Sequence, residues 1–166
     1  MKKVLLLTAF SVLVLCANNS FAASKSETAT VTATIVGAGS VTKSQDMNFG
    51  TIVSSPQAQT AKLDPNGNLS GVTSARGDAT KAAEFTIAGD TGMAYTIDVA
   101  DTTLSNGANT MVLNNFTLLV DDSAYSQSQQ KITDGSDVVK VGADLNIKAN
   151  QPSGVYTGEI TLTMSY

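Results

Sequence analysis

Hydrophobic and polar residues alternate with a period of two along most of this chain. Such alternation predicts β-strands that have one buried face and one exposed face. The pattern surrounds Phe85 and Ile87, and again Tyr95, Ile97 and Val99. Its longest internal example is formed by Val141, Ala143, Leu145, Ile147 and Ala149. Because no segment sustains the three-and-four spacing of an amphipathic helix, the sequence predicts an all-β protein.

Between Met111 and Val120 the apolar positions slip by one place. The slip falls between Leu113 and Phe116, and it predicts a β-bulge near Asn114 and Asn115. Turn-forming residues separate the predicted strands throughout the chain. About eight or nine short strands of this kind predict a single immunoglobulin-like, Greek-key β-sandwich domain.

The amino-terminal residues have the composition of a secretory signal. Lys2 and Lys3 precede an apolar run over residues 4–15, and Ser20 and Ala22 are small residues suited to a signal peptidase. We therefore expect a signal peptide over residues 1–22 and a β-sandwich domain over residues 23–166. No later apolar run approaches the length of a membrane-spanning helix, so we expect an exported protein without a membrane span.

Both ends of the predicted domain are β-strands. Near the start, threonines alternate with Ala29, Val31, Ala33 and Ile35. Residues 24–36 are thus either the first strand of this domain or a donor strand that pairs with a neighbouring subunit. From Val155 to the end of the sequence, the predicted inward face consists of Tyr156, Gly158, Ile160, Leu162, Met164 and Tyr166.

The composition excludes most catalytic chemistry. The chain has no histidine and one cysteine, Cys16, which lies in the predicted signal. Catalytic Ser-His-Asp and Cys-His systems are therefore excluded, as are metal sites that rely on imidazole. Because 14 acidic residues outnumber 10 scattered basic ones, a nucleic-acid partner is also disfavoured. We expect a protein that is not an enzyme and has no cofactor.

Two polar segments suggest binding to other molecules. The tripeptide Arg76, Gly77 and Asp78 has the charge spacing that integrins recognise, and it is a candidate receptor site. In the loop 121–137, carboxylates suited to calcium are supplied by Asp121, Asp122, Asp134 and Asp137. A second possible calcium-binding alternation, Asp64, Asn66 and Asn68, is better explained as a hairpin turn.

Three sequence blocks resemble a family of bacterial secreted proteins, the domain-of-unknown-function family numbered 4402. They are Met47–Val53, Ala83–Gly89 and Ser153–Leu162. The last block is also similar to the carboxyl-terminal strand of fimbrial subunits built by the chaperone-usher pathway. That resemblance implies an incomplete sandwich, which the amino-terminal strand of a neighbour completes in the fibre.

The resemblance also implies residue roles and partners. A periplasmic chaperone would receive the carboxyl-terminal strand through Tyr156, Ile160, Leu162, Met164 and Tyr166. The side chains donated to the neighbouring subunit would be Ala29, Val31, Ala33 and Ile35. An outer-membrane usher would then pass the subunits of a Gram-negative bacterium from the periplasm to the cell surface.

We therefore expect a non-catalytic structural subunit of a fimbria-like fibre, which assembles by β-strand addition with copies of itself or other fibre subunits. The alternative is a self-contained adhesive or ligand-binding module on the cell surface or in the periplasm.

Overall fold

The alternating segments form antiparallel strands. A computed structural model describes residues 25–35, 37–73, 79–126 and 129–166. These residues contain no helix, and therefore none that is long and apolar enough to cross a membrane. The predicted signal peptide, residues 1–22, lies outside them.

The chain divides into two units, Met1–Thr34 and Ile35–Tyr166. All strands of the described residues lie in the second unit. They are β1 (Ser40–Gln45), β2 (Gln59–Leu63), β3 (Leu69–Ser70), β4 (Ala83–Ala88), β5 (Ala94–Val99), β6 (Thr102–Asn106), β7 (Asn109–Val120), β8 (Ser123–Ala124), β9 (Gln130–Lys131), β10 (Ser136–Ile147) and β11 (Leu162–Ser165).

The larger sheet is built around β10. One edge of β10 pairs first with β4 and then with β2, while its other edge pairs with β7. β1 lies outside β4, β3 lies outside β2, and β6 and β8 both pair with β7. The smaller sheet has the order β11-β5-β9. The prediction of an all-β sandwich is confirmed, with two sheets whose strand pairs are antiparallel.

The bulge predicted in the middle of β7 is present. Thr117 pairs with Gly142 and Asn114 pairs with Asp144, so Asn115 and Phe116 together face the single residue Ala143. Asn115 has a φ of 51°, a left-handed conformation that asparagine tolerates better than most residues. The bulge changes the parity of β7, so that apolar side chains before and after it point toward the core.

Two clusters of buried side chains fill the sandwich. The first contains Ala83, Phe85, Ile87, Met93, Tyr95, Ile97, Val120, Ile132, Val139, Val141 and Leu162. The second contains Phe49, Ala61, Leu63, Met111, Leu113, Ala143, Leu145 and Ile147. Met47, Phe116 and Ile160 are partly buried and pack against both clusters. These three side chains therefore join the two clusters.

The first cluster contains a buried polar pair. The Tyr95 hydroxyl donates a hydrogen bond of 2.5 Å to Oδ2 of Asp137, a residue only 2% exposed. Among the residues that the structure describes, Oδ1 of Asp137 has no hydrogen-bond partner. Burial, reinforced by the hydrogen bond to Asp137, raises the pKa of Tyr95, so the hydroxyl remains a donor at neutral pH.

The two ends of the chain differ from their predicted strands. Residues 25–35 lie in no strand and are exposed, and the first strand is β1. An alternating sequence forms a stable strand only when its backbone finds a partner, and no strand of the described residues pairs with this segment.

The carboxyl-terminal strand is shorter than predicted, because it begins at Leu162 and not near Val155. Thr157 instead forms a bridge with Ser105, and a Cβ placed on Gly158 would lie 2.6 Å from the carbonyl oxygen of Thr103. Residues 157–158 are therefore held against β6 before the chain joins the smaller sheet.

Replacing Tyr95 with Phe should destabilise the domain by about 1–3 kcal/mol, because the buried Asp137 carboxylate would then have no partner. Urea unfolding of the two proteins measures the difference. Tyr156→Phe is the control, since the Tyr156 hydroxyl bonds to Gln151 and Pro152 at a half-exposed site. If Tyr95→Phe lowers the free energy of unfolding no more than Tyr156→Phe does, the stabilising role given to the Tyr95–Asp137 hydrogen bond is contradicted.

Candidate functional site

β1 and β11 each have one unpaired edge. β1 pairs only with β4, and β11 pairs only with β5, among the strands that the structure describes. Near the carboxyl end of β11 the two approach, since a Cβ on Gly39 would touch the Met164 side chain. Before the amino end of β11, a cavity of about 340 Å³ is lined by residues 158–160 and, opposite them, by residues from Lys43 in β1 to Phe49. We call this cavity, together with the free edge of β11 that follows residues 158–160 in the chain, the groove.

The backbone groups on the free edge of β11 follow from the pairing of β5. The N–H and C=O of Ile97 both bond to the Tyr125 hydroxyl, so they point away from β11. Ile97 lies opposite Met164, which makes this a non-hydrogen-bonded antiparallel pair. The N–H and C=O of Met164, and by alternation those of Leu162, must therefore point away from β5. These groups are positioned to bind another strand.

Tyr125 closes the opposite edge of β5. Its backbone N–H bonds to the Leu118 carbonyl of β7, while its hydroxyl satisfies both backbone groups of Ile97. One side chain thus takes the hydrogen bonds that a strand would otherwise make at Ile97. On the β11 side of the same sheet, no side chain among the described residues plays this role for Leu162 or Met164.

The floor of the groove is apolar. It is lined by side chains of the two core clusters and of β6, namely Phe49, Ala83, Phe85, Leu104 and Leu113. Met47 forms part of one wall and Ile160 part of the other, and both are only partly buried. The groove therefore offers an incompletely filled part of the core to an apolar side chain.

Charged side chains surround the mouth of the groove. Lys43 Nζ lies 2.5 Å from Asp46 Oδ1 on the β1 side, and Glu159 lies on the other side. The hydrogen bond to Asp46 raises the pKa of Lys43, and the Glu159 carboxylate adds to the effect. The rim is polar while the floor is apolar, as in a site that binds a chain by burying alternate side chains.

The amino-terminal segment has the complementary properties. Val31 is 91% exposed and Ile35 is 94% exposed, and every described residue from 25 to 35 is exposed. The proposed donor residues Ala29, Val31, Ala33 and Ile35 are therefore accessible to a partner.

The predicted carboxyl-terminal residues have different environments. Ile160, Leu162 and Met164 pack against the core clusters, as the period-two pattern predicts. Tyr156 is half-buried against the second cluster, where its hydroxyl accepts from Gln151 and donates to the Pro152 carbonyl. Tyr166 is 64% exposed, which corrects its predicted inward position, because the last paired residue of β11 is Ser165.

The loop candidates do not form a site in the described residues. Arg76, Gly77 and Asp78 lie outside those residues. No cluster of three or more acidic, histidine or cysteine side chains able to hold a metal ion is present in the described part of the chain.

The four loop aspartates make separate contacts. Asp121 accepts from the Val138 N–H, Asp122 pairs with Lys140, and Asp137 bonds Tyr95, while Asp134 is exposed. The calcium ligand set proposed from sequence is therefore not assembled.

Sequence reasoning missed the β1 wall of the groove. β1 is exposed and mostly polar, so its pattern does not distinguish a strand from a loop. The available signal was the alternation of Met47 and Phe49 directly after it, since both side chains contact the core.

The chain belongs to the family described as "Domain of unknown function (DUF4402)", which residues 40–166 match. The matched region includes every described strand of the sandwich and both walls of the groove. Comparisons with curated proteins and with solved structures found no match.

The segment that begins at Asp64 is the predicted hairpin turn, and it lies between β2 and β3. Asp64 Oδ1 accepts from the backbone N–H groups of Asn66 and Asn68, and Oδ2 accepts from the Asn68 side chain. These hydrogen bonds, above all the one from the Asn68 side chain, lower the pKa of Asp64. Gly67 has a φ of 85°, which suits glycine in such a turn.

Replacing Asp64 with Ala should cost about 1–2 kcal/mol at neutral pH, because three hydrogen bonds to the carboxylate are lost. The folded-state pKa of Asp64 lies below its unfolded value, so this stabilisation is present above the unfolded pKa. It disappears as the pH falls through the folded pKa.

Urea unfolding of both proteins across the acid range checks this expectation. The exposed Asp134 is the matched control, and Asp134→Ala should change stability by no more than about 0.5 kcal/mol. A difference between wild type and Asp64→Ala that grows as the pH falls is incompatible with the turn described.

Proposed function

We propose that this chain is a non-catalytic structural subunit of a fimbria-like surface fibre. Subunits join when the amino-terminal segment of one copy, residues 24–36, adds as a strand to the groove of the next. The observation that carries the proposal is that one chain contains both an open strand edge and an exposed, alternating segment. Among the strands that the structure describes, β11 pairs on one edge only, and a cavity with an apolar floor lies beside the residues just before it, while residues 25–35 alternate, are exposed and lie in no strand.

Strand addition would satisfy both halves of the interface. The free N–H and C=O groups of Leu162 and Met164 would bond to the incoming backbone, which supplies affinity without requiring particular side chains. The side chains of Val31 and Ile35 would move out of water and pack against the apolar floor of the groove. Each fully buried aliphatic side chain contributes about 1.5–3 kcal/mol, so the segment has enough apolar surface to be held firmly.

The same open edge requires protection before assembly. An unpaired strand beside exposed apolar residues is a site of aggregation. A periplasmic chaperone that covers the groove, followed by transfer through an outer-membrane usher, meets this requirement. The similarity of the Ser153–Leu162 block to chaperone-usher subunits supports such an export route from the periplasm of a Gram-negative bacterium to its surface.

Composition agrees with a role based on pairing and burial. The sequence contains no histidine, and its one cysteine is in the predicted signal. Association between subunits therefore rests on non-covalent contacts in the mature chain. The adhesive alternative depends on Arg76, Gly77 and Asp78, and no contact in the described residues favours it.

Two double variants test the donor role within the same segment. Val31→Asp with Ile35→Asp should abolish fibres of the mature chain, because two charges would have to enter the apolar groove. Thr30→Asp with Thr34→Asp adds the same charge to the outward face and should still give fibres. Electron microscopy and size-exclusion chromatography measure the outcome, and deletion of residues 24–36 should match the first variant.

A stable, fully folded monomer of the undeleted mature chain would refute the proposal, particularly if residues 29–35 were protected from hydrogen exchange. Equal loss of fibres in both double variants would also count against it, because the effect would then come from charge and not from the inward face.

A further inference from the structure

The groove is not uniform along its length. Its cavity is lined by Gly158, Glu159 and Ile160, which lie before β11. At the other end of β11, Met164 approaches Gly39 and Tyr166 is mostly in solvent. This cavity, which has space for a large apolar side chain, therefore lies beside Ile160, and Tyr166 does not line it.

The size of the inward side chains also changes along the donor segment. Its inward positions are two alanines, one valine and one isoleucine, and the isoleucine, Ile35, is the last of the four. A strand parallel to β11 with Ala29 opposite Ile160 would place Ile35 opposite Tyr166, which does not line the cavity. A parallel strand with Ile35 opposite Ile160 would place Ala33 and Val31 opposite Gly158 and Tyr156, before β11 begins. Only an antiparallel strand places Ile35 at the cavity and keeps Ala33 and Val31 beside β11.

Alternation limits the antiparallel registers to steps of two, because a slip of one residue turns every inward side chain outward. If Ile35 lay opposite Leu162, Gly37 would lie opposite Ile160 and leave the cavity unfilled. If Ile35 lay opposite Gly158, Ala33 would lie opposite Ile160, and isoleucine would face a residue without a side chain that is held against β6.

We propose that the donor segment of a second copy binds antiparallel to β11 in one register, in which Ile35 lies opposite Ile160 and fills the cavity. Ala33 then lies opposite Leu162, Val31 opposite Met164, and Ala29 opposite Tyr166. The small Ala33 meets Leu162, which is already buried at 9% exposure. This register rests on the proposed function and adds Ile35 as the side chain that determines it.

The outward face of the same register supplies a direct test. Thr34 would lie opposite Thr161, and both residues are exposed in the isolated chain. Because Leu162 and Met164 would be the hydrogen-bonded positions, Thr34 and Thr161 would form a non-hydrogen-bonded pair. The Cβ atoms of such directly opposed pairs are about 4.5–5.5 Å apart, close to disulfide geometry, whereas diagonal neighbours are too distant.

The experiment combines Thr34→Cys with one further cysteine at position 159, 161, 163 or 165 of the mature chain. Cys16 lies in the predicted signal, so no natural thiol competes after cleavage. All four partner positions are exposed, and none of their side chains faces the core. Fibres are formed, oxidised and examined by non-reducing gel electrophoresis.

We expect a ladder of disulfide-linked subunits with Thr161→Cys, at a yield several-fold above that with Glu159→Cys, Thr163→Cys or Ser165→Cys. The strongest ladder with Glu159→Cys or Thr163→Cys would replace this register with one shifted by two residues. The strongest ladder with Ser165→Cys would indicate a parallel strand. Fibres without a ladder from any pair would also overturn the register.

The same experiment distinguishes failure of the proposed function from failure of the register. If the cysteine-free mature chain forms no fibres by electron microscopy, strand addition between copies is refuted and the register with it. If fibres form and link through another pair, only the register is refuted.

Discussion

The structure depends on how the backbone groups at the edges of its strands are satisfied. β10 meets this requirement along most of its length, because β4 and β2 pair with one of its edges while β7 pairs with the other. β5 meets it with β11 along one edge and, at Ile97 on the other edge, with the Tyr125 hydroxyl. β1 and β11 do not meet it within the described residues, since each has one paired edge. The position of the groove follows from that difference.

At the groove, the burial of apolar side chains is coupled to the pairing of β11. The partly buried side chains Met47 and Ile160 pack against both core clusters, and they also form walls of the groove. Filling the groove would therefore complete two things together, the hydrogen bonding of β11 and the packing between the clusters. Tyr95 and Asp137 lie in the interior of the first cluster as a preformed polar pair. Neither of these two side chains lines the groove.

Much of the fold could be predicted from local pattern. Period-two alternation identified β4, β5, β7 and β10, and even the one-place slip that becomes the bulge at Asn115. The pattern failed where a strand lacks a buried face, as in β1, whose side chains are largely exposed. It also extended the last strand too far. The alternation around Gly158 continues, but contact with Thr103 holds the chain against β6, and that contact is distant in sequence.

The candidate site could likewise be predicted from the sequence only in part. Which side chains of a strand share a face follows from local sequence, because strand geometry alternates whatever the neighbouring strands are. The sequence thereby identified the inward positions Ile160, Leu162 and Met164, and it predicts that Val31 and Ile35 share a face when residues 24–36 form a strand. Three features come from the packing of the chain: among the described strands β11 pairs on one edge, Tyr125 closes the far edge of β5, and a cavity lies beside Ile160. These facts depend on contacts between residues far apart in the chain, which local periodicity does not encode.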